Sequence, residues 1–220
     1  MNEGVTHVYL MPGLAASPTI FEYIKLPPEQ YCLHWLEWQI PDKEETFESY
    51  AQGMCKFIEY DNAVLLGVSF GGMLVQEMSK FLNLKRLFVV SSVKTNYELP
   101  KRLKILKYTK AYKFLPTQWV GNIDLLAKYA FGETIKKRVD LYKKYLSVTD
   151  KAYLDWSIKQ LVCWEQDKPN PKAIYIHGDK DLVFPHSCQG DCIVIQGGTH
   201  IMILNKFKWF NENLPKLIES

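Results

Sequence analysis

Gly67-Val68-Ser69-Phe70-Gly71 follows the apolar run Ala63-Val64-Leu65-Leu66 and precedes the apolar stretch Met73-Leu74-Val75-Gln76-Glu77-Met78. The pattern is strand, sharp turn, helix, with G-x-S-x-G at the turn, the context of a nucleophile elbow. Such a turn strains the backbone at the central serine and lifts its hydroxyl clear of the sheet. A Cβ at either flanking glycine would collide with the neighbouring strand or helix. The pentapeptide alone is a weak signal, and its strand-to-helix context is what gives it weight.

Two later segments extend the pattern. His177-Gly178-Asp179-Lys180-Asp181-Leu182-Val183-Phe184-Pro185 follows the apolar run Ala173-Ile174-Tyr175-Ile176. Gly197-Gly198-Thr199-His200 follows Ile193-Val194-Ile195. Each places polar groups just past the end of a predicted strand, the edge of an open parallel sheet where ligands and chemistry sit. The chain order is Ser, then Asp, then His.

On these residues the chain resembles the α/β-hydrolase superfamily over most of its length. The resemblance implies Ser69 as nucleophile, Asp181 as the acid and His200 as the base, with no cofactor and no metal. Asp179 competes with Asp181 for the acid role. The family pattern H-G-x-x-D followed by proline selects Asp181, leaving Asp179 to cap the turn. An oxyanion hole would take one donor from the backbone N–H of Phe70. The second is expected from the loop after the first strand, at Leu14, with Ala15 as the alternative. That loop reads Met11-Pro12-Gly13-Leu14, without the histidine that many members carry before the glycine.

A length of 220 residues suits one domain with a single core. The net charge of +3 is too small to imply nucleic acid by itself. Cys32, Cys55, Cys163, Cys188 and Cys192 are odd in number and scattered, which suits a reducing compartment better than a disulfide framework. No second cysteine pair or histidine couple stands beside Cys188 and Cys192, which argues against zinc there. No apolar run is long enough to span a membrane, and the first apolar run lacks a basic leader. The expected location is cytoplasmic.

Apolar runs alternating with helical patterns predict an α/β fold, a mostly parallel open sheet of about six strands with helices on both faces. The strands are expected at 6–11, 31–40, 63–68, 84–91, 173–177 and 192–196. Helical spacing marks 46–58, 70–82 and a closing amphipathic helix from Ile203 to Leu217, with a short helix at 19–25. The two antiparallel strands that usually lead this superfamily have no counterpart in the pattern.

Residues 1–93 and 171–220 therefore read as the core and 94–170 as an inserted helical lid, too long for a plain connection. Lys101 to Tyr145 holds twelve Lys or Arg against three acids, a balance of +9 that leaves the rest at −6. Leu103, Leu106, Tyr112, Phe114, Leu115, Trp119, Leu125, Leu126 and Tyr129 would form its apolar face. The basic ring reads as a solvated face, or as a funnel for an anionic substrate, carrier or lipid surface.

His7 and His34 read as packed or surface residues, His177 as support for the acid loop, and His186 as a capping or solvent-facing residue. A metal set of His177, Asp179, Asp181 and His186 would conflict with the triad. The sequence points to a serine hydrolase cleaving an ester or thioester of a small or medium acyl substrate. A C–C hydrolase, lyase or acyltransferase could use the same groups, and a ligand-binding sensor could reuse the scaffold. Neither nucleic acid nor stable membrane insertion is expected.

Overall fold

A computed structural model of the protein describes residues 4–115, 144–185 and 192–220. Six strands form one sheet: β1 (Thr6–Met11), β2 (Tyr31–Trp35), β3 (Ala63–Val68), β4 (Leu84–Val90), β5 (Ala173–Gly178) and β6 (Ile193–Ile195). Their order is β2-β1-β3-β4-β5-β6, and every pairing is parallel. The open parallel sheet expected from the apolar runs is present. All six residues of β3 are buried, as a strand covered on both faces requires.

The described helices are α1 (Phe47–Met54), α2 (Phe70–Met78), α3 (Lys101–Thr109), α4 (Lys151–Cys163), α5 (Met202–Asn205) and α6 (Phe207–Glu219). The Thr46 hydroxyl caps α1 by accepting from the Ser49 N–H. Every residue of α2 is buried, so its apolar residues are not confined to one stripe, and the buried Gln76 and Glu77 are hydrogen-bonded. One core layer packs Tyr9, Met11 and Leu65 of the sheet against α1, α2 and α4. The opposite layer packs Val8, Leu10, Val64 and Phe88 against Phe210, Leu214 and Ile218 of α6.

Several bounds differ from expectation for physical reasons. β2 stops at Trp35, not Ile40. Beyond it the chain leaves the sheet, and the Trp38 indole turns inward to donate to Gly13 O at 2.8 Å. The expected helix at 19–25 is a single 3-10 turn, Pro18–Phe21. The closing helix is split, with a break at Lys206 between α5 and α6.

Within 94–170, α3 buries no residue, and Ile105 and Tyr108 are exposed on it. Lys101, Arg102 and Lys104 are exposed there as well. In contrast, α4 sends Tyr153, Leu154 and Trp156 into the first core layer. The expected lid residues Trp119, Leu125, Leu126 and Tyr129, and His186 with Cys188, lie outside the described residues.

Cys192 is disulfide-bonded, whereas Cys32, Cys55 and Cys163 are free thiols. An odd, scattered count speaks against a disulfide framework but does not exclude a single bond. Among the described residues no helix is long and apolar enough to cross a membrane.

Candidate active site

The turn between β3 and α2 holds Ser69 at φ 56° and ψ −122°, a backbone region that a residue with a Cβ rarely adopts. The two flanking glycines make this turn possible. A Cβ on Gly67 would lie 2.3 Å from the Gly71 carbonyl oxygen. One on Gly71 would lie 2.2 Å from the Pro12 carbonyl oxygen. The elbow is thus wedged between its own helix and the loop leaving β1. The Ser69 N–H donates to Val90 O at 2.9 Å, which ties the turn to β4.

The ends of β5 and β6 bring two further groups to the same edge. The Lys180 N–H donates to Gly198 O at 2.8 Å, joining the two loops back to back. His200 Nε2 lies 2.9 Å from Ser69 Oγ, and His200 Nδ1 lies 2.9 Å from Asp181 Oδ2. An ionised carboxylate can only accept, so Nδ1 carries the proton and the Nε2 lone pair faces the serine hydroxyl. Residues far apart in sequence thus form one hydrogen-bonded chain. The ring of Phe184 meets the His200 ring edge to face at 5.5 Å.

Asp181 is 3% exposed. Its Oδ1 accepts from the Val183 N–H at 2.8 Å and the Phe184 N–H at 3.0 Å. Burial alone pushes this carboxyl up. The charge and hydrogen bond of His200, then the charge of His177 and the Phe184 N–H, outweigh burial and hold it below the ordinary carboxylate value. His177 Nε2 is 2.7 Å from Phe184 O and 3.4 Å from Asp181 Oδ2, so this ring braces the turn carrying the acid. Asp179 does not reach His200. It is exposed, and its Oδ1 accepts from the Gly197 N–H at 2.6 Å.

The loop after β1 passes directly over the serine: a Cβ on Gly13 would lie 3.3 Å from Ser69 Cβ. This loop is held from three sides. Gly13 O accepts from the Trp38 indole, and the Ala15 N–H donates to the Tyr153 hydroxyl at 3.2 Å. Ala15 O accepts from the N–H groups of Ser147 and Val148, each at 3.0 Å. Ala15 itself sits at φ 60°. Its N–H is therefore committed to Tyr153, which leaves Leu14 as the available amide of the two weighed from sequence. The Phe70 N–H opens α2, where an N–H has no intrahelical acceptor.

Phe70 is fully buried and stacks on Trp38 at 5.1 Å and on Phe47 at 5.3 Å. Tyr50 meets Trp156 at 4.4 Å in the same cluster. Sequence reading missed Trp38 and Tyr153 as supports of the site. Their partners lie 25 and 138 positions away, and no periodicity carries that information.

No protein-family model matches this sequence, and no curated protein matches it. Solved structures do match its shape along almost its whole length. An esterase from Thermogutta terrifontis aligns at TM-score 0.67 and 13% identity, covering 98% of this chain and 90% of that one. An esterase from Exiguobacterium antarcticum aligns at 0.65 and 18%, covering 99% and 93%. The enol-lactonase from Burkholderia xenovorans LB400 aligns at 0.67 and 11%, covering 100% and 94%. The fold shown by these similarities is the α/β-hydrolase fold.

Proposed function

We propose that the protein is a serine hydrolase that cleaves an ester or thioester of a small or medium acyl group. The observation that carries this reading is the unbroken hydrogen-bonded chain Ser69–His200–Asp181 at a strained elbow. A free serine hydroxyl is a weak nucleophile and needs a base within reach. In the proposed reaction Ser69 Oγ attacks the acyl carbonyl while His200 Nε2 takes its proton. Asp181 keeps the imidazole in the required tautomer and stabilises its cationic form.

The tetrahedral oxyanion is met by the N–H groups of Phe70 and Leu14, one such donor being worth about 3 kcal/mol. Collapse breaks the bond to the leaving alcohol or thiol, which receives the proton from His200. Water then attacks the acyl-serine, gives a proton to His200, and releases the acid as Ser69 Oγ regains that proton. That the structural neighbours include two esterases and an enol-lactonase supports acyl chemistry of this kind. The exposed basic surface of α3 is compatible with an anionic substrate or carrier approaching from that side.

The test is hydrolysis of p-nitrophenyl esters of graded acyl length by wild type, Ser69→Ala, Asp181→Asn and Asp179→Asn. Turnover lost with Ser69 and collapsed with Asp181, but retained in Asp179→Asn, supports the reading. Turnover unchanged by Ser69→Ala would end it.

A further inference from the structure

At the opposite end of the sheet, β1 and β2 place two imidazoles and a thiol on one face. His7 pairs directly with Cys32, and Tyr9 with His34, so the parallel register aligns all four side chains on the same side. Ligand atoms of His7, Cys32 and His34 all lie within 4.8 Å of one another. His7 lies level with the start of β3, roughly 20 Å of strand below Ser69.

The two imidazoles are held by ring stacking. Tyr60 stacks on His7 at 3.4 Å and 5°, and Tyr9 stacks on His34 at 4.4 Å and 15°. Stacking covers the ring faces and leaves the nitrogens in the ring planes free to meet. His7 Nδ1 and His34 Nε2 do meet, at 2.8 Å, sharing one proton. Two nitrogens bound to one tetrahedral zinc stand about 3.3 Å apart, and a nitrogen and a thiolate about 3.6 Å apart. The pair therefore needs to open by about half an ångström. Cys32 is an exposed free thiol on an edge strand, where its side chain has room to close on the ion. His34 also lines an open groove of about 420 Å³ together with Glu37 and Glu59, so the approach to the pair carries acidic groups.

We infer that His7, Cys32 and His34 form a binding site for a zinc-type divalent ion that bridges β1 and β2, with its fourth position open to the groove. Two imidazoles and one thiolate are borderline-to-soft donors, which favour zinc or its cobalt substitute over magnesium or calcium. The ion takes the place of the proton shared by the two rings and crosslinks the edge strand to the sheet. Zinc binding at this site is independent of any role for Ser69.

Tag-free protein is titrated with ZnCl2 by calorimetry and with CoCl2 by absorption. Expected are one saturable equivalent, a cobalt–thiolate charge-transfer band, and a zinc-dependent rise in melting temperature. Cys32→Ser, an exposed change that leaves the fold intact, should remove the band and weaken zinc by more than about tenfold. Loss of an outer-shell partner alone costs about 10- to 100-fold, and here a ligand itself is lost. His34→Gln should abolish the saturable equivalent, while Cys163→Ser and His200→Gln leave it intact. Absence of saturable binding, a band that survives Cys32→Ser, or binding that disappears with His200→Gln would each overturn the inference.

Discussion

Tyr153→Phe removes one oxygen and nothing else from a side chain with no exposure. That oxygen accepts the N–H of Ala15, which is itself only 3% exposed and held at φ 60°. Without it a buried donor loses its partner, at a cost of about 1–3 kcal/mol. For a domain of this size each kcal/mol moves the melting temperature by about 2–4 °C, so a fall of about 2–12 °C is expected. The functional effect is local. Ala15 adjoins Leu14, so under the proposed mechanism, in which the Leu14 N–H meets the oxyanion, loss of this anchor displaces that donor. Loss of that donor costs about 3 kcal/mol, or roughly a hundredfold in kcat, with little change in KM because the ground-state carbonyl makes the weaker bond. Calorimetry together with p-nitrophenyl ester kinetics reads both numbers. A melting temperature within about 1 °C of wild type, with kcat unchanged, would refute the idea that Tyr153 holds the loop over Ser69.

Other expectations follow from the same geometry. Asp181→Asn should lower kcat by about 10⁴ through the wrong histidine tautomer, while Asp179→Asn, which loses only the Gly197 contact, should stay within a few-fold. Gly71→Ala drives a Cβ to 2.2 Å from Pro12 O, so it should destabilise by about 1–3 kcal/mol or more and displace the oxyanion loop, read by urea unfolding and ester kinetics. Asp181 is held below its unfolded value of about 3.9, so its contribution is complete above that pH and is lost as pH falls through the lower folded value. The stability that Asp181 confers over Asp181→Asn, measured by unfolding at falling pH, should therefore shrink as pH drops below about 4. Burial pushes the Cys55 thiol up to about 11, so iodoacetamide near pH 8 should modify the exposed Cys32 well before Cys55, as read by peptide mass mapping.

The parts of this molecule governed by local pattern were legible in its sequence. β3 and most of α2 are apolar because both are enclosed, and Gly67 and Gly71 flank a turn where an added Cβ would collide with backbone. The polar groups at the ends of β5 and β6 could be placed on one edge because parallel strands end on the same side. Long-range contacts were not legible. The Asp150 carboxylate caps α4 by accepting the Tyr153 N–H, and that start point sets the turn on which the Tyr153 hydroxyl reaches Ala15. Nothing within 94–170 announces that α4 belongs to the core while α3 buries no residue. His7 and His34 read from sequence only as packed or surface residues, because their meeting depends on the β1–β2 register, which residue spacing does not encode.

The central claim is that Ser69 is an activated nucleophile. Its most direct test is brief exposure of the native protein to a fluorophosphonate, followed by mass mapping of the modified peptide, beside Ser69→Ala and heat-unfolded controls. One adduct on Ser69, formed rapidly in the native protein and absent from both controls, is the predicted result. A native Ser69 that stays unmodified, or labels no faster than in the unfolded chain, would contradict the account and favour a ligand-binding protein built on the same fold.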